Sequence, residues 1–371
     1  MQDIDIAALS RTVLWAAFAL AVVFGAIAQR THFCTMGAVS DIMTMGDWAR
    51  MRMWVAAMGV AMIGFNAMVA LGWLSAADTI YAGPRFIWLS ALVGGALFGF
   101  GMTLASGCGS KTLVRIGGGN LKSLVVFFVL GLAAFATMRG LTAVLRVDTV
   151  DKVAVEFAAG QDLPSLLAGA TGIAKGTLAA LLGIGLGGAL LVWALARREG
   201  RSADNLLGGL GLGAVIAALW WVSGRLGHVA EHPETLQEVF LATNSQRMES
   251  LTFVSPFAYT IDWLIFFSDK SKVLTIAIVT TVGVVLGSAL VALATRSFRW
   301  EGFRDARDTA NHLIGAALMG VGGVTAMGCT VGQGLSGLST LSLTSFVAIA
   351  AIIAGAVAGL KYQFWLVERS A

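Results

Sequence analysis

The chain has three thiols, at Cys34, Cys108 and Cys329. Each lies in a short, partly polar stretch beside a long apolar run: "QRTHFCTMGAVSD" (29–41), "ASGCGSKTLVR" (105–115) and "AMGCTVGQGLS" (326–336). A thiol can ligate a soft metal, attack as a thiolate, or donate a weak S–H hydrogen bond. For a metal, His32 is two residues from Cys34, but no third ligand is near, and neither CxxC nor a compact zinc spacing occurs. No metal and no cofactor are therefore expected. An odd cysteine count argues against a disulfide framework. A nucleophile needs an activating partner, and His32 is the only local base. Weak donation to a passing group remains, with a sulfurtransferase that forms a cysteine persulfide as the alternative.

The thiols are related to one another. "GGALFGFGMTLASGC", from Gly94, and "GAALMGVGGVTAMGC", from Gly315, share the pattern G-x4-G-x-G-x3-A-x-G-C at a shift of 221 residues. The same shift carries Cys34 onto Ser255 and Asp41 onto Asp262. A lone cysteine is more often a small buried hydrophobe. Three at corresponding positions, with serine at the fourth, point to a shared role.

Gly107 and Gly109 suit a sharp chain break, and Gly328 repeats the first of them. A half-helix starting near Ser110 would then aim its N–H groups and positive dipole end at the Cys108 thiol, which favours an anion there. Gln333 could donate to that anion or satisfy loop carbonyls. Lys111 and Arg115 are candidates for anion steering. Asp41 and Asp262 read as proton-handling residues or, better, as caps of short helices. Gly99, Gly101, Gly320 and Gly322 read as helix-packing positions, and His228 and His232 as solvated.

These loops need a frame. Hydrophobic residues make up 57% of the 371 residues and charged ones 12%, against about a quarter charged in soluble domains. That composition suits a bilayer. The net charge of +4 is small, and no nucleic-acid motif is present. Residues 1–10, "MQDIDIAALS", lack a basic n-region, so the first apolar run is expected to stay in the membrane. About nine spans are expected, at 11–29, 52–73, 86–107, 121–142, 166–195, 205–223, 273–295, 310–328 and 342–366. With the N-terminus outside and the C-terminus cytoplasmic, fifteen of the 25 basic residues fall inside, as the positive-inside rule favours.

The expectation is an all-α integral membrane protein, a single transmembrane domain over 1–371 with an inverted pseudo-two-fold repeat and short re-entrant loop helices. One half covers 1–143 and the other 205–371, which carries a hydrophilic insert near 225–250. Residues 144–204 link the halves through one transmembrane helix. Inverted repeats that meet near the midplane are a transporter architecture. The loops at Cys34 and Cys108 should enter from inside, those at Ser255 and Cys329 from outside.

The motifs "QRTHFCTMGAVSD", "ASGCGSKTLVRIGGGNLKSL" (105–124) and "AMGCTVGQGLSGLSTLSLTS" (326–345) resemble the three cysteine motifs of the YeeE/YedE family of bacterial sulfur-compound transporters. The resemblance implies an hourglass-shaped permease of the bacterial inner membrane. In it Cys34, Cys108 and Cys329 pass along a sulfur anion, with thiosulfate as the leading substrate and other sulfur or selenium species as alternatives. A cytoplasmic sulfur-carrier protein is a candidate partner. The transport reading demands neutral thiols, because a thiolate would repel a dianion, and burial favours the neutral form.

Overall fold

The computed structural model describes residues 5–370. The side on which the N-terminus lies was expected from a reading that includes residues 1–4, which fall outside the described residues, as does Ala371. Helix dominates. Helix α1 (Ile6–Thr31) starts at Asp5, whose carboxylate accepts from the Ala8 N–H at 3.0 Å. It is followed by α2 (Thr35–Met45), α3 (Ala49–Ala70), α4 (Trp88–Leu104), α5 (Gly109–Gly117), α6 (Leu121–Arg139) and the short α7 (Leu141–Asp148) and α8 (Leu163–Thr171). Then come α9 (Lys175–Leu195), α10 (Ala203–Leu206) and α11 (Leu212–Trp221), the last two continuous through π-helical turns at 207–211 and 222–226. The series ends with α12 (Ser255–Ile265), α13 (Ile276–Ala294), α14 (Ala306–Thr325) and α15 (Leu343–Ser370). Only two short two-stranded pairings occur among the described residues, Arg85–Phe86 with Val155–Glu156 and His228–Val229 with Val239–Phe240.

Among the described residues, eight helical stretches are long and apolar enough to cross a membrane. They match the expected spans except 310–328. That span is present as α14, but Arg307, Asp308, Asn311 and His312 make its first two turns polar. Because α14 packs between α4 and α6, it does not need a wholly apolar surface. The expected span over 166–195 is two helices. Gly172, left-handed at φ +73°, ends α8, and α9 begins at Lys175. Gly172 meets nothing within 4 Å, so backbone geometry and not packing calls for it.

The helix pairings keep their pattern when the two repeats are exchanged. Helix α1 packs on α13 as α11 packs on α3; α4 packs on α15 as α14 packs on α6; α12 meets α6 as α2 meets α15. At the centre, α4 crosses α14. A Cβ on Gly94 would lie 2.7 Å from the Gly322 carbonyl oxygen, and one on Gly322 would lie 2.6 Å from that of Gly94. Gly101 and Gly315 face each other in the same way, at 2.7 and 2.6 Å. Gly94 corresponds to Gly315 and Gly101 to Gly322 in the repeat, so each glycine meets the counterpart of the other. Two helices crossing like this run antiparallel, with a two-fold axis between them. The glycines allow backbone contact, which holds helices together where lipid supplies no hydrophobic drive.

Candidate functional site

Each cysteine opens a short helix. Cys34 caps α2, and its Sγ accepts from the Gly37 N–H at 3.4 Å. Cys108 precedes α5 and lies 3.3 Å from the Ser110 hydroxyl. Cys329 precedes a short helical segment that runs into the π turn Gly332–Gly337, and its Sγ accepts from the Gly332 N–H at 3.3 Å. The backbone of Phe253 and of Val331 also lies near the Cys329 sulfur. The free thiols of Cys108 and Cys329 are fully buried, and that of Cys34 is 7% exposed. Cys34 and Cys108 are close enough to interact electrostatically. Cys329 lies against the 251–254 segment, with its sulfur 4.0 Å from the Thr252 hydroxyl. Thr330 Oγ1 is near Cys108 but makes no hydrogen bond by geometry.

The breaks before the two Gly-Cys pairs are identical in form and differ from expectation. Ser106 and Met327, 221 residues apart, are left-handed at φ 56° and 58°. The Gly107 N–H donates to Met102 O at 2.9 Å and the Gly328 N–H to Gly323 O at 2.8 Å, the six-to-one bond of a Schellman cap. Gly107 and Gly109 therefore do not supply the unusual φ. They supply room. A Cβ on Gly109 would stand 2.6 Å from the Phe253 carbonyl oxygen, and one on Gly107 would meet the Lys111 stem at 3.2 Å, with an Arg115 nitrogen at 3.7 Å. Gln333 is fully buried, with Nε2 donating to Ala326 O and Oε1 accepting from Ser345 Oγ. Both ends of its amide are held by protein groups.

Two vestibules flank the thiols. One, of about 570 Å³, is lined by His32, Lys111, Arg115, Arg299 and Arg304, with Glu301 opposing them. Burial raises the Glu301 pKa, but hydrogen bonds from Asn120 and Lys122 outweigh it and hold the carboxyl below its usual range. The other, of about 70 Å³, is lined by Tyr81, Thr252, Ser255 and Met327. Ala277, at the start of α13, lines the small vestibule, whereas Ser297, just beyond its end, lines the large one. All but the first two of the 19 residues of α13 lie between them, about 26 Å at 1.5 Å per residue. The vestibules thus open on opposite faces, here called the basic face and the insert face.

Asp41 and Asp262 cap no helix N-terminus. Asp41 pairs with Arg50 at 3.3 Å and Asp262 with Lys272 at 2.6 Å. Each ion pair ties the far half of a short helix to the segment after it, again in corresponding places. His32 is the left-handed C-cap of α1 and lines the basic vestibule. Among the described residues no three His, Cys, Asp or Glu side chains gather as a metal site. The sequence reading missed Thr252, Phe253 and Tyr81 around Cys329. It also missed Ser106 and Met327, whose shared offset was visible but whose residue types hide a left-handed turn.

Comparison with known proteins fits this arrangement. The family described as "Sulphur transport" matches residues 30–358. Similar relatives include the "Thiosulfate transporter TsuA" of Escherichia coli (strain K12), 24% identical over 340 residues, covering 89% of each chain. A TsuA from Spirochaeta thermophila is 25% identical over 360 residues, 92% of this chain and 97% of the relative. The "Probable transporter YedE" of Escherichia coli (strain K12) is 30% identical over a shorter match of 110 residues, 29% of this chain and 25% of the relative.

Proposed function

The chain belongs to the sulphur-transport family, and on that premise we propose that it imports thiosulfate across the bacterial inner membrane. The observation that carries this reading is the placement of three buried thiols between vestibules on opposite faces. Thiosulfate has a soft terminal sulfur and hard oxygens. Thiol S–H groups hold the sulfur weakly, and the N–H groups at the short helix starts hold the oxygens. Binding that weak and repeated permits both entry and release. The cationic lining supports taking the basic face as the cytoplasmic one. The insert face is then outside, with the N-terminus outside and the C-terminus cytoplasmic. Residues 1–143 and 205–371 are the inverted halves, joined through 144–204. The anion meets Cys329 first and then the Cys34–Cys108 pair. It leaves past Lys111 and Arg115, where a cytoplasmic sulfur-carrier protein is positioned to take the sulfur onward.

The test is uptake of radiolabelled thiosulfate into proteoliposomes by Cys108→Ala and Cys329→Ala. Both variants should stay folded and lose uptake. Normal uptake by both would remove the thiols from the route. Competing sulfite, sulfate and selenium analogues measure the substrate range. Intact mass of protein trapped during turnover decides against the sulfurtransferase alternative, which requires one added sulfur on a cysteine.

A further inference from the structure

The insert face holds a second cavity, of about 270 Å³, that the thiol route does not use. It lies where the end of α6, the middle of α12 and the start of α13 meet the tail of the hydrophilic insert. Its walls include Arg139, Lys272, Asn244, Thr275, Tyr259 and Trp263. Two polar groups in those walls stand idle. Thr275 is 6% exposed and its Oγ1 has no hydrogen-bond partner. It is the N-cap of α13, yet its side chain makes no capping bond. Asn244 Oδ1 is buried and also lacks a partner. A half-turn of that amide would present Nδ2 instead. Native proteins rarely leave buried polar atoms unpaired, so each such atom asks for a ligand.

Charge decides which ligand. The cavity has two cations, Arg139 and Lys272, against one acid, Asp262, which Lys272 already neutralises. The positive end of the 19-residue α13 adds to the Arg139 charge. The Tyr259 and Thr275 hydroxyls can donate, and a volume of this size holds a small anion with several waters of about 30 Å³ each. We infer that this cavity is an oxyanion site on the insert face, a capture station that loads the transported anion. Tyr259 lines both this cavity and the small vestibule beside Ser255 and Thr252, so an anion passes from one to the other over a single side chain and past Glu249, whose Oε1 is occupied by the Asn244 and Ser245 N–H groups and the Ser245 hydroxyl. Thr243, Asn244 and Gln246 bring the insert into the wall, which gives the insert a role in substrate capture.

The identity of the anion rests on the proposed function; the site itself does not. The experiment titrates the purified full-length protein calorimetrically with sodium thiosulfate and with sodium sulfate, and measures thiosulfate uptake in proteoliposomes. Thr275→Val removes the hydroxyl at constant shape and breaks no capping bond, so the fold should hold. It should weaken thiosulfate binding and raise half-saturation of uptake about tenfold, the loss expected for one charge-assisted hydrogen bond, with maximal rate unchanged. Thr275→Ser should restore both, and Arg139→Gln should behave like Thr275→Val. Cys329→Ala should lose transport yet keep the Thr275-dependent part of the thiosulfate binding signal. Wild-type binding constants and half-saturation in both Thr275→Val and Arg139→Gln would overturn the site. Sulfate binding there without competing for uptake would overturn its place on the route. Thr275-dependent binding in a wild type that transports no thiosulfate would uphold the site and refute the substrate.

Discussion

Gly109→Ala tests whether the Cys108 loop is held by backbone contact with the 251–254 segment. The added Cβ would stand 2.6 Å from the Phe253 carbonyl oxygen and 3.1 Å from the Phe253 Cβ, where ordinary contact begins at 3.4 Å. The nearer contact is about 0.8 Å too short, and its partner is backbone, which cannot rotate away. Either α5 or the 251–254 segment must move. Overpacking of this kind costs about 1–3 kcal/mol, which a protein of this size survives. The same shift separates Cys108 from Cys34 or withdraws the Phe253 backbone from Cys329. Misplacement near 1 Å costs on the order of 100-fold in enzyme sites, so uptake should fall at least tenfold. Gly107→Ala is the control. Its Cβ meets the flexible Lys111 stem at 3.2 Å, and uptake should stay within about twofold of wild type. The assay is initial-rate uptake of radiolabelled thiosulfate, with size-exclusion profiles to check folding. Wild-type uptake by Gly109→Ala, or an equal fall in both variants, would refute the reasoning.

Two further outcomes are expected. Ser106→Gly and Met327→Gly place the permissive residue at left-handed positions and should each raise thermal stability by roughly 1 kcal/mol, read as a higher midpoint in a detergent melt; a lower midpoint in both would show that those side chains contribute more than their backbone costs. Single cysteines at His232 in the insert and at Trp300 in the basic-face loop, in a cysteine-free background, should react with an impermeant thiol reagent from opposite sides of intact vesicles. Labelling from one side would break the assignment of faces.

Much of this frame was legible because bilayer helices and repeats leave long signals. The shift that aligns Cys108 with Cys329 also aligns Gly94, Gly99 and Gly101 with Gly315, Gly320 and Gly322, the contacts that cross α4 with α14 and seat α15 on α4 and α6 on α14. What escaped reading is local or long-range. The left-handed Ser106 and Met327 are types that seldom adopt that conformation, so the glycines beside them drew the inference instead. Thr252 and Phe253 correspond to Thr31 and His32 in the repeat but sit 77 and 76 residues before Cys329, and only tertiary packing brings them to the sulfur. Gln333 resembles an anion donor in sequence, and its bonds to Ala326 and Ser345 appear only when the loop is folded.

The two halves match in backbone but not in donors, and the mismatch has a direction. On the insert side stand one thiol, Cys329, and the oxygens of Thr252, Ser255 and Tyr81. On the basic side stand two neighbouring thiols, Cys34 and Cys108, with Lys111 and Arg115 beyond them. An anion with a soft sulfur and hard oxygens meets hydroxyl donors first and thiol donors afterwards, and its charge is then best balanced near Lys111. Under the transport proposal it dwells longest at the Cys34–Cys108 pair. A graded set of sites shapes dwell and rate, but it cannot by itself drive net flux, because the equilibrium of an anion between faces depends on the two solutions and the membrane potential. Under the same proposal, net import needs a gradient maintained from outside the protein, and removal of the anion at the basic face, where Lys111 and Arg115 line the large vestibule, would supply one.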